Sequence, residues 1–216
     1  MYGRSVDTTD GPAPLEERAR PDVRDAILRA SLELGTELGE DGLTMRAIAG
    51  RLGVSVTALY HHYDGKPAIL RALRFWGADL LAAHLEPAHL LTDPVDRLCA
   101  ESVRYVGFAR DNPWLYRLLF QEEELDWNSF TDQERTRLMA PNARTARCFH
   151  EAVAEGRFRP DVDVMTAPFL MWAANHGLAT LILGGRISET HPAFPVRSQD
   201  EFVHSFVTSF MRGFQK

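Results

Sequence analysis

The sequence predicts an all-α fold of about nine helices. Apolar residues recur at helical spacing almost everywhere, and no segment sustains the alternation of a half-buried strand. Proline, glycine and capping residues punctuate this pattern at helix-length intervals. With 216 residues, 45% of them apolar, the chain can bury a proper core.

The elements follow in order. Residues 1–20 mix Asp, Thr, Gly, Pro and Arg without an apolar run, so they are expected to be a disordered tail. They hold no secretory signal, which gives an expected cytoplasmic location. A first helix starts near Pro21, carries Ile27, Leu28, Leu32 and Leu34, and runs toward Gly39, where Gly39-Glu40-Asp41-Gly42 stops it. Thr44 caps a second helix, Gly53 ends it and Ser55 caps a third. Lys66-Pro67 opens a fourth that reaches the Leu80 to Leu90 region, with Pro87 near its end. Later boundaries are expected at Asp93-Pro94, Asn112-Pro113, Pro141, Arg159-Pro160 and the Gly184-Gly185 to Pro195 loop. The acidic run Glu122 to Asp126 reads as a loop. Val164 to Leu183 is uncharged and long enough to raise the question of a membrane span. Thr166, Pro168, Asn175, His176 and Thr180 interrupt it and no basic flank frames it, so it reads as a buried helix, and no membrane partner is expected. Cys99 and Cys148 match no metal-ligand or redox spacing and read as small buried hydrophobes.

A net charge of −6 argues at first against nucleic acid, but its distribution argues for it. Between Thr44 and Arg74, Arg46, Arg51, Lys66, Arg71 and Arg74 face one acid, Asp64, a local +4. From Trp76 onward 14 basic and 19 acidic residues leave −5. A basic patch on an acidic body suits a phosphate-contacting module joined to a domain with another task.

The stretch from Leu43 to Tyr63 has the spacing of a helix-turn-helix. Ile48, Leu52, Val54 and Leu59 are expected to form the small core of two crossed helices, with Ala49 allowing close approach. Gly53 supplies the turn that sets a second helix of seven or eight residues nearly perpendicular to the first. The second of two such helices is the one that fits a major groove.

Thr-x-Arg-x-Ile-Ala-x-x-Leu-Gly-Val-Ser, then Leu-Tyr-x-His-Tyr, then Gly-Lys-x-x-Leu-x-x-Leu resembles the N-terminal domain of the TetR (tetracycline-repressor) family, from about Arg24 to Leu73 without a gap. The resemblance implies that Arg46, Val56, Thr57, Tyr60 and His61 approach base edges. It implies that His62, Lys66, Thr44 and Ser55 approach phosphates. The chemistry agrees: an arginine can pair with guanine, and Val56 or Thr57 can pack on a thymine methyl. Lys66 with the free N–H groups at the start of the fourth helix would clamp a phosphate. Thr44 and Ser55 cap helices in either case, and Tyr63 reads as core. Met45 and Ala58 depart from the family pattern, where many relatives have a hydroxyl, which implies fewer phosphate contacts per subunit.

Behind Leu90 the chain is rich in aromatics. Tyr105, Phe108, Trp114, Phe120, Phe149, Trp172 and His176 are the candidates for contact with a small-molecule effector, against the alternative that each ring is simply core. Asn112 to Phe120 and Trp172-Ala173-Ala174-Asn175-His176-Gly177 resemble the C-terminal domain of a TetR subgroup marked by Trp-x-x-x-His-Gly. Trp172 and His176 share a helix face, and Gly177 is expected to let another backbone come close. His176 could touch an effector or satisfy itself on a neighbouring carbonyl. Glu101 or Glu151 would favour a cationic ligand if it faced a cavity.

The last helix carries Phe202, Phe206, Phe210 and Phe214 every four residues, with Val203, Val207 and Met211 beside them. That is more apolar surface than one monomer is expected to bury, and relatives pair two helices per subunit into a four-helix bundle. The resemblance therefore implies residues 21–66 as the DNA-binding domain and 67–216 as an effector-binding and dimerisation domain. It implies a homodimer on a palindromic double-stranded operator and a repressor released by its effector. A di-metal carboxylate enzyme would need paired Glu-x-x-His motifs, and only Glu86-Pro87-Ala88-His89 matches, with a proline inside it. No catalytic residue, metal site or cofactor is expected.

Overall fold

The computed structural model describes residues 22–120, 127–193 and 195–216, which form nine α-helices and one 3-10 turn, with no strand among the described residues. The expected tail 1–20, Pro21 and the run Glu122 to Asp126 lie outside the described residues.

α1 (Val23–Gly42) is capped by the Asp22 carboxylate, which accepts from the Arg24 amide. It ends within the expected Gly-Glu-Asp-Gly stop, which begins at Gly39. That glycine adopts φ 72° and kinks the helix, and a last turn continues to Gly42. α2 (Met45–Leu52) and α3 (Val56–Tyr60) are short, α3 at five residues shorter than expected. α4 (Lys66–His89), α5 (Pro94–Asp111) and α6 (Pro113–Phe120) follow, each with proline in its first turn, where its missing N–H costs nothing. After a 3-10 turn (Trp127–Ser129) come α7 (Asp132–Ala154), α8 (Ala167–Leu183) and α9 (Gln199–Arg212).

Pro141, expected as a boundary, lies inside α7. A capping box between Thr131 and Glu134 fixes the helix start well before it, and beyond it Thr145, Cys148, Phe149 and Ala152 are buried. The capping box before the proline and the packing beyond it carry the helix through the one lost hydrogen bond. Both cysteines are free, Cys148 buried and its thiol pushed up to about 11 by desolvation.

Two apolar cores result. The first joins α1, α2 and α3 to α4 and α6 through Ile27, Leu34, Ile48, Leu59, Leu73 and Leu115, so it crosses the expected boundary at residue 66. The second unites α5, α7, α8 and α9 around Leu98, Phe149, Phe158, Met171 and Val207. α6 is wedged between the reading helices and the body. A methyl group on Gly35 of α1 would lie 2.4 Å from the Trp114 ring, and one on Gly77 of α4 would lie 2.8 Å from Leu115 Cδ1. Those two glycines are small because α6 side chains occupy the space a Cβ would need.

α8 is uncharged and mostly apolar but is not buried all round. Leu170, Ala173, Gly177 and Leu181 form an exposed stripe along it. A methyl group placed on Gly177 would meet nothing within 4 Å among the described residues, so the close approach that this glycine was expected to allow is not made by them. On α9, Val203, Val207 and Met211 face inward, while Phe202 is exposed and Phe206 and Phe210 are half-buried. Phe214 turns back into the second core, its ring 5.2 Å from Phe149 and 5.6 Å from Phe158, so it is not part of the outward surface. No helix among the described residues is long and apolar enough to cross a membrane.

Candidate functional site

Local chemistry builds the helix-turn-helix. The Thr44 hydroxyl accepts from the Ala47 amide at 3.1 Å and the Ser55 hydroxyl from the Ala58 amide at 3.2 Å, so each fixes a helix start. Gly53, at φ 69°, ends α2 with its own amide on Gly50 and the Val54 amide on Ala49, the paired pattern of a Schellman stop. Ile48, Ala49 and Leu59 are buried and Leu52 half-buried beneath this turn. Val54, expected in the same core, is 45% exposed, because it is the residue after the left-handed glycine and its side chain leaves the helix pair.

Arg46, Thr57, Tyr60 and His61 stand on the surface, together with Thr44 and Ser55, while Val56 and His62 are half-buried. Tyr60 is 53% exposed. Tyr63 is buried, with the Arg24 guanidinium 4.5 Å over its ring, as a core residue should be.

The cations of this region are less available than their count suggests. Arg51 forms ion pairs with Glu33 and Glu37 of α1, the latter at 2.6 Å, and this hydrogen-bonded pair holds the Glu37 carboxyl below its ordinary value. Arg71 binds Glu134 at 3.0 Å and Arg74 donates to the Leu118 carbonyl at 3.2 Å. Lys66 donates to the Glu40 carbonyl at 2.7 Å and pairs with the Glu40 carboxylate at 3.6 Å, tying the start of α4 to the kinked end of α1. Gly65 caps α4 without a side-chain hydrogen bond. Among the described residues, Arg46 is the one of the five that makes no such bond.

A cavity of about 430 Å³ opens between α4, α5, α6, α7 and α8. Leu81, Leu85, Phe120, Met171 and Trp172 give it apolar walls, and Glu101, Tyr105, Thr145 and Asn175 add polar groups. Of the effector candidates, Tyr105, Phe120 and Trp172 line it. Phe108, Trp114 and Phe149 do not, because other packing takes their rings. Phe108 lies 5.8 Å from the His84 ring, Trp114 fills the space beside Gly35, and Phe149 packs with Phe158 and Phe214.

His176 sits directly behind the lining aromatics. Its ring stacks on Tyr116 at 5.5 Å and is tilted against Trp172 at 5.7 Å. Burial holds the imidazole below its ordinary value, and the neutral ring can accept at Nδ1 from the Tyr116 hydroxyl, 2.6 Å away. Tyr105 Oη lies 3.3 Å from Tyr116 Oη and 3.4 Å from the same nitrogen. The partners of His176 are thus tyrosine hydroxyls, not a backbone carbonyl.

Apolar spacing does not distinguish the polar lining from the rest. Thr145, Asn175 and Glu101 are polar residues set among apolar ones on the inward faces of α7, α8 and α5, and that placement was their one available signal. Glu101 faces the cavity, and its Oε1 accepts from the Thr145 hydroxyl at 2.5 Å. Its Oε2 is buried without a partner. Desolvation raises the Glu101 carboxyl to about 7, against the lowering effect of the Thr145 bond. Glu151, the other acid considered, pairs with Arg97 instead.

Comparison with known proteins agrees with this architecture. The family described as bacterial regulatory proteins, tetR family, matches residues 27–73, and the tetracyclin repressor-like C-terminal domain matches residues 98–209. The tetracycline repressor protein class C of Escherichia coli is 50% identical over 50 residues, 23% of this chain and 23% of that protein. The class A repressor from transposon 1721 is 53% identical over 47 residues, 22% of each chain. The match therefore spans under a quarter of the length of these curated relatives. Among solved structures, a Rhodococcus sp. RHA1 protein of unknown function is 27% identical with a TM-score of 0.77, over 94% of this chain and 100% of that one. The ketosteroid transcriptional regulator KstR2 of Mycobacterium tuberculosis shares the fold, with a TM-score of 0.64 at 19% identity over 91% of this chain and 97% of that one. The helix-turn-helix match and the C-terminal match, which alone covers more than half of the chain, together establish that this protein belongs to the TetR family of bacterial regulatory proteins.

Proposed function

We propose that this chain is a sequence-specific DNA-binding transcriptional regulator, a homodimeric repressor released from a palindromic operator by a small-molecule effector. The observation that carries the reading is the capped helix-turn-helix whose outer face presents Arg46, Thr57, Tyr60 and His61. In the groove, these side chains with Val56 would meet base edges, while Thr44, Ser55, His62 and Lys66 would meet phosphates. Lys66 must then exchange Glu40 for a phosphate, with the uncapped start of α4 beside it.

Residues 21–66 are the reading head, and 67–216 bind the effector and hold the dimer. Trp172, His176 and Gly177 support assignment to the subgroup with Trp-x-x-x-His-Gly. The exposed stripe on α8, with Phe202, Phe206 and Phe210 of α9, supports pairing of two such helices per subunit. Ligand in the cavity presses on α4 through Ala78, Leu81 and Leu85. Those residues lie roughly 18–28 Å along the helix from Lys66, at about 1.5 Å per residue, so a tilt at the cavity becomes a displacement of α3. The effector shifts the dimer toward a head separation that no longer fits two half-sites.

The test is binding of the purified protein to a fluorescent fragment of its own upstream region at two salt concentrations with nonspecific competitor. Tight, competitor-resistant binding is expected. Tyr60→Ala should lose it while sedimenting as the wild-type dimer. Wild-type operator affinity in Tyr60→Ala overturns the assignment of the contact face.

A further inference from the structure

The effector cavity holds a buried acid that has no countercharge among the described residues. Glu101 is 6% exposed, and among the described residues that line the cavity it is the one carboxylate, with no lysine, arginine or histidine beside it. Oε1 is held by Thr145, and Oε2 has no hydrogen-bond partner. The nearby cations are engaged elsewhere: Arg97 with Glu151, Arg144 with Glu86, and Arg104 with the His84 carbonyl. An ionised carboxylate left this way is costly, and an empty site offsets that cost only by holding its proton. A bound cation would remove the cost.

The rest of the lining suits the remainder of such a molecule. Phe120, Trp172 and Phe169 supply aromatic surface that can bury an apolar body and attract a cation over a ring face. The volume of about 430 Å³ lies in the roughly 300–1,000 Å³ range of small-molecule sites. Resting on the effector-cavity reading above, we propose that the ligand is an apolar organic amine, bound as its ammonium ion with a charge-assisted hydrogen bond to Glu101 and its hydrocarbon or aryl part among Leu81, Leu85, Phe120 and Trp172. Once Glu101 is ionised, the same arrangement disfavours carboxylates, which would set two negative charges side by side.

Three ligands of one skeleton test this: 4-phenylbutylamine, 4-phenylbutan-1-ol and 4-phenylbutanoate, titrated calorimetrically at pH 8 into the full chain without DNA. On the wild-type chain, the amine is expected to bind at least about ten-fold tighter than the alcohol, the worth of one charge-assisted bond, with the acid weakest. Glu101→Gln should weaken the amine by about ten-fold and leave the alcohol within about two-fold. The ranking on the wild-type chain needs no variant and decides the matter if Glu101→Gln fails to fold. Alcohol or acid binding as tightly as amine, amine affinity indifferent to a folded Glu101→Gln, or no binding by any of the three overturns the proposal. Operator binding is measured separately, so a failure here is distinguishable from failure of the regulator reading.

Discussion

Glu101 makes a residue-scale prediction that needs no ligand. Its carboxyl has a pKa of about 7 when folded against 4.5 as its ordinary value, so the folded state holds a proton that the unfolded chain gives up earlier. The stability this confers is complete below the unfolded pKa and is lost as pH rises through the folded one. Compared with Glu101→Gln, the wild-type chain should lose about 2–3 kcal/mol of stability between pH 5 and pH 8, given ~1.4 kcal/mol per pKa unit. Urea denaturation of both proteins at the two pH values measures the difference; parallel curves would mean that Glu101 is solvated or paired. On the reading face, Arg46→Ala should cost operator affinity about 1–3 kcal/mol if the guanidinium meets a guanine edge. These two residues differ in how far the sequence revealed them. Arg46 was legible from its place in a local motif. Glu101 was legible only as an acid of uncertain orientation, because its facing depends on how α5 rolls against α7 and α8.

Elements whose ends are fixed locally were the readable ones. Thr44, Gly53, Ser55 and the prolines of α4, α5 and α6 act within one turn of themselves, and the structure uses each where the sequence put it. Pro141 shows the opposite case, since packing far along α7 outweighs a local break. The ion pairs from α2 back to α1 were also out of reach, because they join residues separated by 14 and 18 positions. The contact between α1 and α6 carries a further prediction. Gly35→Ala places a methyl 2.4 Å from the Trp114 ring, and that ring is 3% exposed with no room to retreat. Such overpacking typically costs about 1–3 kcal/mol. Thermal unfolding should register it, and a fall in operator affinity beyond what the melting shift explains would mark α6 as a link between body and head.

For the whole molecule, the stripe Leu170, Ala173, Gly177 and Leu181 is the surface whose disruption should separate subunits without touching either core. Leu181→Arg is expected to sediment as a folded monomer and to bind the operator far more weakly, since a single short α3 reads only half a site. A dimer that persists in Leu181→Arg would move the interface elsewhere. Periodicity showed that α8 is apolar, yet not which part of it stays uncovered, because that depends on where α5 and α7 sit.

The ion pairs around α2 and α4 also bear on how this protein senses the ionic medium. A cation displaces condensed counterions from DNA only if its charge is not already neutralised within the protein. Arg51 and Arg71 are neutralised by Glu33, Glu37 and Glu134, so the local excess of four positive charges overstates the electrostatic grip. In a plot of log affinity against log salt concentration, Arg51→Gln and Arg71→Gln should leave the slope unchanged, whereas Arg46→Gln should flatten it by about two per dimer at ~0.9 per cation. Such a head would hold its site by shape and base chemistry more than by charge, and would keep more of its grip as the salt concentration rises.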